Sequence, residues 1–206
     1  MVDHKKFPNL ENVDFFENDM TPQSIQFMID LLPIIRELIK KWPKQKILEV
    51  LDVGTATGAG ANLLATLYKG KFFGIQMKVD ALDRKNNKYE PYPKLSFPNI
   101  NYIVADIFEL DKNNTWDLVI CSHTIEHMSD PFPFISELKR LARHWVLIYC
   151  PFNEHPLVPG HEISITKEIV DNLQPSDVKI IDSPGWSNLT GNRKCISFVL
   201  KGSALP

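Results

Sequence analysis

The stretch ILEVLDVGTATGAGANLLA, residues 47–65, decides how this chain is read. Residues 47–53 form a short, mostly apolar run, the pattern of a strand buried on both faces of a parallel sheet. The run passes directly into a turn bearing Gly54 and Gly58, and residues 59–68 then carry the small and apolar side chains of a helix. Strand, glycine turn and helix in that order open a doubly wound sheet, in which a ligand sits beyond the carboxyl ends of the strands. Glycine there leaves room for the backbone to approach the ligand. Asp52, at the strand's end, is placed to orient the turn or to accept hydrogen bonds from a cationic ligand group. A plain tight turn uses the same glycines, so the segment gains its meaning from what surrounds it.

The alternation extends in both directions. Upstream, Thr21 is an N-cap, Pro22 suits the first helical position, and Ile25, Met28, Ile29, Leu32, Ile35 and Ile39 recur at helical spacing. Pro33 falls inside this helix and Pro43 closes it. The first twenty residues show no period and are expected to be an irregular arm, so residues 1–43 are read as arm and helix, and 44–206 as the α/β core of one domain. Downstream, strands are expected at residues 71–77, 100–105, 116–122 and 145–150, with helices at 80–85, 132–143 and 166–173. An aromatic, proline-rich loop is expected up to Phe97. Two last strands, at 178–183 and 194–201, read as an antiparallel closure. The fold class is therefore α/β: a doubly wound, Rossmann-like sheet, mostly parallel, with an antiparallel C-terminal edge strand.

Composition narrows the function. With 206 residues, 44% hydrophobic and 23% charged, and a formal net charge of -2, the chain has the make-up of a globular domain. No basic excess points to nucleic acid, so a small-molecule partner is expected. Oligomeric state is not written in these numbers. Cys121, Cys150 and Cys195 are scattered in apolar runs and read as buried thiols of a reducing compartment, neither a disulfide framework nor a zinc site. The N-terminal residues lack an apolar signal region, and no apolar run approaches the roughly 18 residues of a membrane span. A cytoplasmic location is the resulting expectation.

The segment ILEVLDVGTATG resembles the first motif of class I S-adenosylmethionine-dependent methyltransferases, an acidic residue followed by alternating glycines. Ala56 stands where the family's middle glycine falls. The resemblance runs over about residues 47–156 and implies S-adenosylmethionine as cofactor, bound by Asp52, Gly54, Ala56 and Gly58. An adenosine-binding fold places an acidic side chain about 20 residues beyond its glycines to hold the ribose. That position is reached at Gln76, with Asp80 as substitute. Asp106, in VADIFEL, resembles the family's acidic residue that accepts from the adenine amino group, with Ile107 beside it as a ring contact.

WDLVICSHTIEHMSDPFPFISEL, residues 116–138, resembles the fourth-strand motif of the small-metabolite and quinone methyltransferase subgroup, in which a Leu/Ile-Glu-His tripeptide follows the strand. Ile125, Glu126 and His127 are that tripeptide here. Residues beyond the fourth strand face the cleft, so Ser122 is expected to line the cofactor site, and His123 and His127 the methyl-transfer site. His161, in the polar loop after the fifth strand, is a further expected base. If the acceptor is a hydroxyl, His127 or His161 suits proton removal near neutral pH. His123-x-x-Glu126-His127 also spells the inverted zinc-peptidase motif, but that chemistry needs a sustained helix, and Ser129-Asp130-Pro131 interrupts one. No metal is assigned on this reading. The expected function is methyl transfer to a small-molecule or sugar/lipid-precursor acceptor, at oxygen. A non-catalytic S-adenosylmethionine-binding protein is the alternative, and a nicotinamide-dependent oxidoreductase fits less well, because Ala59 stands where its fingerprint requires the last glycine.

Overall fold

A computed structural model describes residues 21–43, 47–70, 74–84 and 97–203. The expectations for the arm at 1–20 and for the aromatic loop at 89–96 lie outside these residues. Helix α1 (Thr21–Lys40) begins at Thr21 and runs through Pro33, which sits on its exposed side. Its buried stripe is Phe27, Met28, Leu31, Ile34, Ile35 and Leu38, while Ile29, expected in the stripe, is 44% exposed. Strand β1 (Ile47–Val53) and helix α2 (Ala59–Leu67) follow as the sequence implies.

Strand β2 corrects the sequence reading: it occupies Gln76–Asp83, where a strand was expected to end at residue 77 and a short helix to begin at residue 80. Met77, Val79 and Ala81 are buried and exposed Lys78 alternates with them. Asp80, which made the segment look polar, is buried in mid-strand because the Trp116 indole N–H donates to it at 2.7 Å. Then come β3 (Ile100–Val104), β4 (Trp116–Ser122), α3 (Pro131–Leu141), β5 (Ala142–Pro151), α4 (Lys167–Asn172), β6 (Asp177–Asp182) and β7 (Lys194–Lys201). Asp130 caps α3 by accepting from Phe132 N–H, and Thr166 caps α4 by accepting from Ile169 N–H.

The seven strands lie in the order β3-β2-β1-β4-β5-β7-β6. β1 pairs in parallel with both β2 and β4, so the chain winds outward in both directions from it. The antiparallel strand is β7, inserted between β5 and the edge strand β6. One apolar layer joins α1 and α2 to Leu48, Val50, Val79, Leu118, Ile120 and Leu147. The other joins α3 and α4 to Leu51, Val53, Val119, Cys121, Ile148 and Phe198. Covered on both faces, the sheet leaves its carboxyl ends as the place for a ligand, at the switch between β1 and β4. Among the described residues no helix is long and apolar enough to cross a membrane.

Candidate active site

The turn after β1 is fixed by its neighbours. Gly54 and Thr55 N–H both donate to Leu82 O, at 2.9 and 3.2 Å, and Gly58 N–H donates to Thr55 O at 2.9 Å. Gly54 and Gly58 have φ of 73° and 78°, and Ala56 between them has φ of 52°. Ala56 therefore takes the left-handed conformation that glycine adopts without strain. Its carbonyl accepts from the Tyr102 hydroxyl, and its N–H donates to Asp83 Oδ2 at 2.8 Å. Asp52 lies buried beneath the turn and accepts from the Thr55 hydroxyl at 2.7 Å. Burial pushes its carboxyl up to about 7 against the opposing pull of that bond.

The extent of β2 changes which residue can serve the ribose position. Gln76 opens β2 and pairs with Ile47, at the amino ends of both strands. It stands a full strand length from the carboxyl end of the sheet, where Asp83 closes the same strand. Asp80 is held within the sheet by Trp116. The signal for Asp83 was present as the closing acid of VDALD, but counting from the glycines reached Gln76 first. Asp106 follows β3 at the same end, where its carboxylate accepts from Phe108 N–H and caps a 3₁₀ turn at Ile107–Glu109; Ile107 is buried beside it.

At the end of β4, the Ser122 hydroxyl oxygen is buried with no hydrogen-bond partner among the described residues. Gly54 faces this turn so closely that an added Cβ would stand 2.1 Å from Thr124 Oγ1. His123, expected to line the transfer site, is packed inside instead. Its ring stacks on Phe27 at 3.6 Å, and its two nitrogens lie 3.4 Å from Glu126 Oε1 and 3.6 Å from Cys195 Sγ. Burial drives its pKa well below the ordinary value, which favours the neutral ring. Residues Ile125–His127 form a single 3₁₀ turn, without the sustained helix that the zinc-peptidase motif requires.

The loop after β5 is bound to that turn. Glu162 N–H donates to Glu126 O at 2.8 Å, and the His127 Nδ1–H donates to Gly160 O at 2.8 Å, since a carbonyl only accepts. Burial lowers the His127 pKa, which favours the neutral ring, and with the proton on Nδ1 it is Nε2 that carries the lone pair. His161 is held from behind: its Nδ1 lies 2.6 Å from Glu154 Oε2, while Glu154 Oε1 accepts from Val158 N–H at 2.7 Å. Trp186, from the β6–β7 connection, stacks on the His161 ring at 5.4 Å, and the His127 and His161 rings meet edge-on at 4.9 Å. Glu154 and Trp186 were not singled out as site residues. Glu154 looked like one polar loop residue among several, and Trp186 arrives from a connection remote in sequence.

A doubly wound sheet with β7 reversed, a glycine turn at its switch point and polar side chains gathered at the same rim define a class I S-adenosylmethionine-dependent methyltransferase domain. Comparison with known proteins agrees: the family model described as "Methyltransferase domain" matches residues 44–181, and the chain belongs to that family. This sets the nicotinamide reading aside. The chain is similar to the ubiquinone biosynthesis O-methyltransferase of Rickettsia conorii, 35% identical over 107 residues, covering 52% of this chain and 35% of that protein. It is also 31% identical over 156 residues to a probable chloroplastic tocopherol O-methyltransferase of Oryza sativa subsp. japonica, covering 68% of this chain and 42% of that protein. The chain thus spans well under half the length of these curated relatives. Magnesium protoporphyrin IX methyltransferase from Synechocystis PCC 6803, solved with bound SAH, has the same fold at a TM-score of 0.63 and 14% identity, covering 96% of this chain and 97% of that one.

Proposed function

We propose that the chain binds S-adenosylmethionine at the carboxyl end of the sheet, against the β1 and β4 turns, and methylates a hydroxyl of a small, ring-bearing acceptor. The cleft suits such a donor. Asp83 offers a carboxylate for a ribose diol, Asp106 one for an adenine amino group, Gly54 lets the β1 turn close against Thr124, and Ser122 brings a buried hydroxyl that lacks a partner among the described residues. When bound, the sulfonium supplies an already activated methyl group, so the chain's work is alignment, exclusion of water and proton removal.

The observation that carries the reading is the Glu154–His161 pair beside His127. A carboxylate fixes one ring nitrogen of His161 and leaves the other free at the rim, the arrangement of an oriented general base. The names of the relatives, ubiquinone and tocopherol O-methyltransferases, favour a phenolic oxygen as the acceptor atom. Incubation with labelled S-adenosylmethionine and a panel of phenols, catechols and hydroxylated quinone precursors tests this. Transfer is expected to at least one phenol. His161→Ala and Glu154→Gln should lower kcat by about 10²- to 10⁴-fold and by a smaller factor respectively, with donor affinity unchanged. Donor binding without transfer to any hydroxyl would leave the non-catalytic binding protein as the better account.

A further inference from the structure

The rim holds one buried side chain, Glu126, that proton removal does not account for. Glu126 is 1% exposed, and neither of its carboxylate oxygens has a hydrogen-bond partner among the described residues; His123 Nδ1 stands 3.4 Å from Oε1 without bonding to it, and Oε2 lacks even such a contact among them. A buried carboxyl left so is costly, and native proteins retain one where something binds it. Glu126, His127 and His161 each bring a donor atom to within 4.8 Å of the others. The histidines are oriented from behind: His127 Nδ1 is engaged by Gly160 O at 2.8 Å and His161 Nδ1 by Glu154 Oε2 at 2.6 Å. Each ring therefore has Nε2 left to offer. Carboxylate–histidine and carbonyl–histidine contacts of this kind fix the ring and raise its basicity in metal sites.

We propose that Glu126, His127 and His161 bind a divalent first-row transition cation, of the zinc, iron(II) or manganese class, through two imidazole nitrogens and one carboxylate. The donor set decides the class. Two nitrogens out of three ligands disfavour magnesium and calcium, which take oxygen, and three protein ligands leave at least one position open, as in catalytic rather than structural zinc sites. Bonds of about 2.0–2.2 Å need the three side chains to draw together, which the exposed His127 side permits. The ligand set differs from the zinc-peptidase pattern in the sequence: His123 is stacked on Phe27, and the second imidazole comes from the loop after β5, clamped to Glu126 by the Glu162 N–H. The site stands on geometry alone. Its use, to receive the acceptor oxygen at the open position so that the hydroxyl proton passes more readily to solvent, rests on the methyl transfer proposed above and replaces direct proton removal in it, because a His161 Nε2 that ligates the ion is no longer a base.

The test uses the full chain freed of metal with a chelator and titrated with cobalt(II), read by its visible absorption, and with zinc, read by calorimetry. One equivalent of each is expected. Glu126→Gln, His127→Ala and His161→Ala should each weaken binding by at least tenfold, while His144→Ala, far along β5, should not. Variants are compared only where calorimetric binding of S-adenosylmethionine persists, and Glu126→Gln keeps the shape of the side chain. Absence of stoichiometric cobalt binding by the native chain overturns the site, as does a thiolate-to-cobalt charge-transfer band, which would place the ion on the cysteines. Stoichiometric cobalt bound by these three residues in a chain that methylates nothing would confirm the site and refute the proposed reaction; full turnover without cobalt binding would do the reverse.

Discussion

Gly54 and Thr124 meet across the mouth of the sheet, with no room for a methyl group between them: a Cβ on Gly54 would lie 2.1 Å from Thr124 Oγ1 and 2.9 Å from its Cγ2. The β1 and β4 turns are therefore in contact at the switch point, and both border the donor site proposed above. Gly54 also has φ of 73°, so a side chain there is strained as well as crowded. Gly54→Val is expected to abolish S-adenosylmethionine binding in calorimetric titration while the far-ultraviolet spectrum keeps its α/β shape. Thr124→Ala, which only removes the neighbour, should retain binding. A folded Gly54→Val protein with native affinity would place the donor elsewhere.

Ala56 offers the converse test. Its φ of 52° costs roughly 1 kcal/mol for a residue with a Cβ, and glycine relieves it at some entropic cost in the unfolded chain. Ala56→Gly should leave the chain as stable or more stable by up to about 1 kcal/mol, read as a rise in the urea midpoint. Donor affinity should hold or improve. A clear loss of stability would mean that the methyl group makes packing contacts that outweigh the strain.

The reassignment of the ribose position is tested by comparing two residues. Asp83→Asn keeps an oxygen for the Ala56 N–H but removes the charge that a diol contact would use. It should weaken donor binding by about 1–2 kcal/mol. Gln76→Ala, at the amino end of β2, should change it by less than measurement error. The opposite pattern would return the position to Gln76 and would require β2 to slide.

These cases show what the sequence displays and what it hides. The apolar runs of β1, β4 and β5 lie in the middle of the sheet and are covered on both faces, so composition marks them plainly. β2 is also central, yet Lys78 and Asp80 interrupt it, and Asp80 is tolerated only because Trp116, 36 residues away in the chain, donates to it. No local pattern announces such a pairing, and the acid that closes the strand, Asp83, is hidden with it. The histidines were legible as a group because they follow β4 and β5 directly. Their different surroundings were not, since these depend on Phe27 stacking on His123 and Glu154 holding His161.

Asp52 supplies the last prediction, a pH dependence of known sign. Its carboxyl is fully enclosed and stands at about 7, against 3.8 for the free side chain, chiefly because burial penalises the charge and secondarily because Asp83 lies near. A carboxyl whose folded pKa is raised favours the folded state while it is protonated, and that advantage is lost as pH climbs from the unfolded value to the folded one. The window is therefore about pH 4 to 7, with a slope near 1.4 kcal/mol for each unit. Other groups titrate there too: burial lowers the pKa of His123 and His127, which opposes the trend below pH 6.5. The native curve alone is thus a poor readout, and the difference between native protein and Asp52→Asn isolates the one group. Asparagine keeps an acceptor for the Thr55 hydroxyl and carries no charge at any pH. In urea unfolding of the ligand-free protein, Asp52→Asn should be no more stable than the native chain below about pH 3.5. It should gain on the native chain steadily up to pH 7, by a few kcal/mol in all, and stay level above. A difference that does not change with pH would mean that Asp52 is ionised throughout, balanced by a partner other than Thr55.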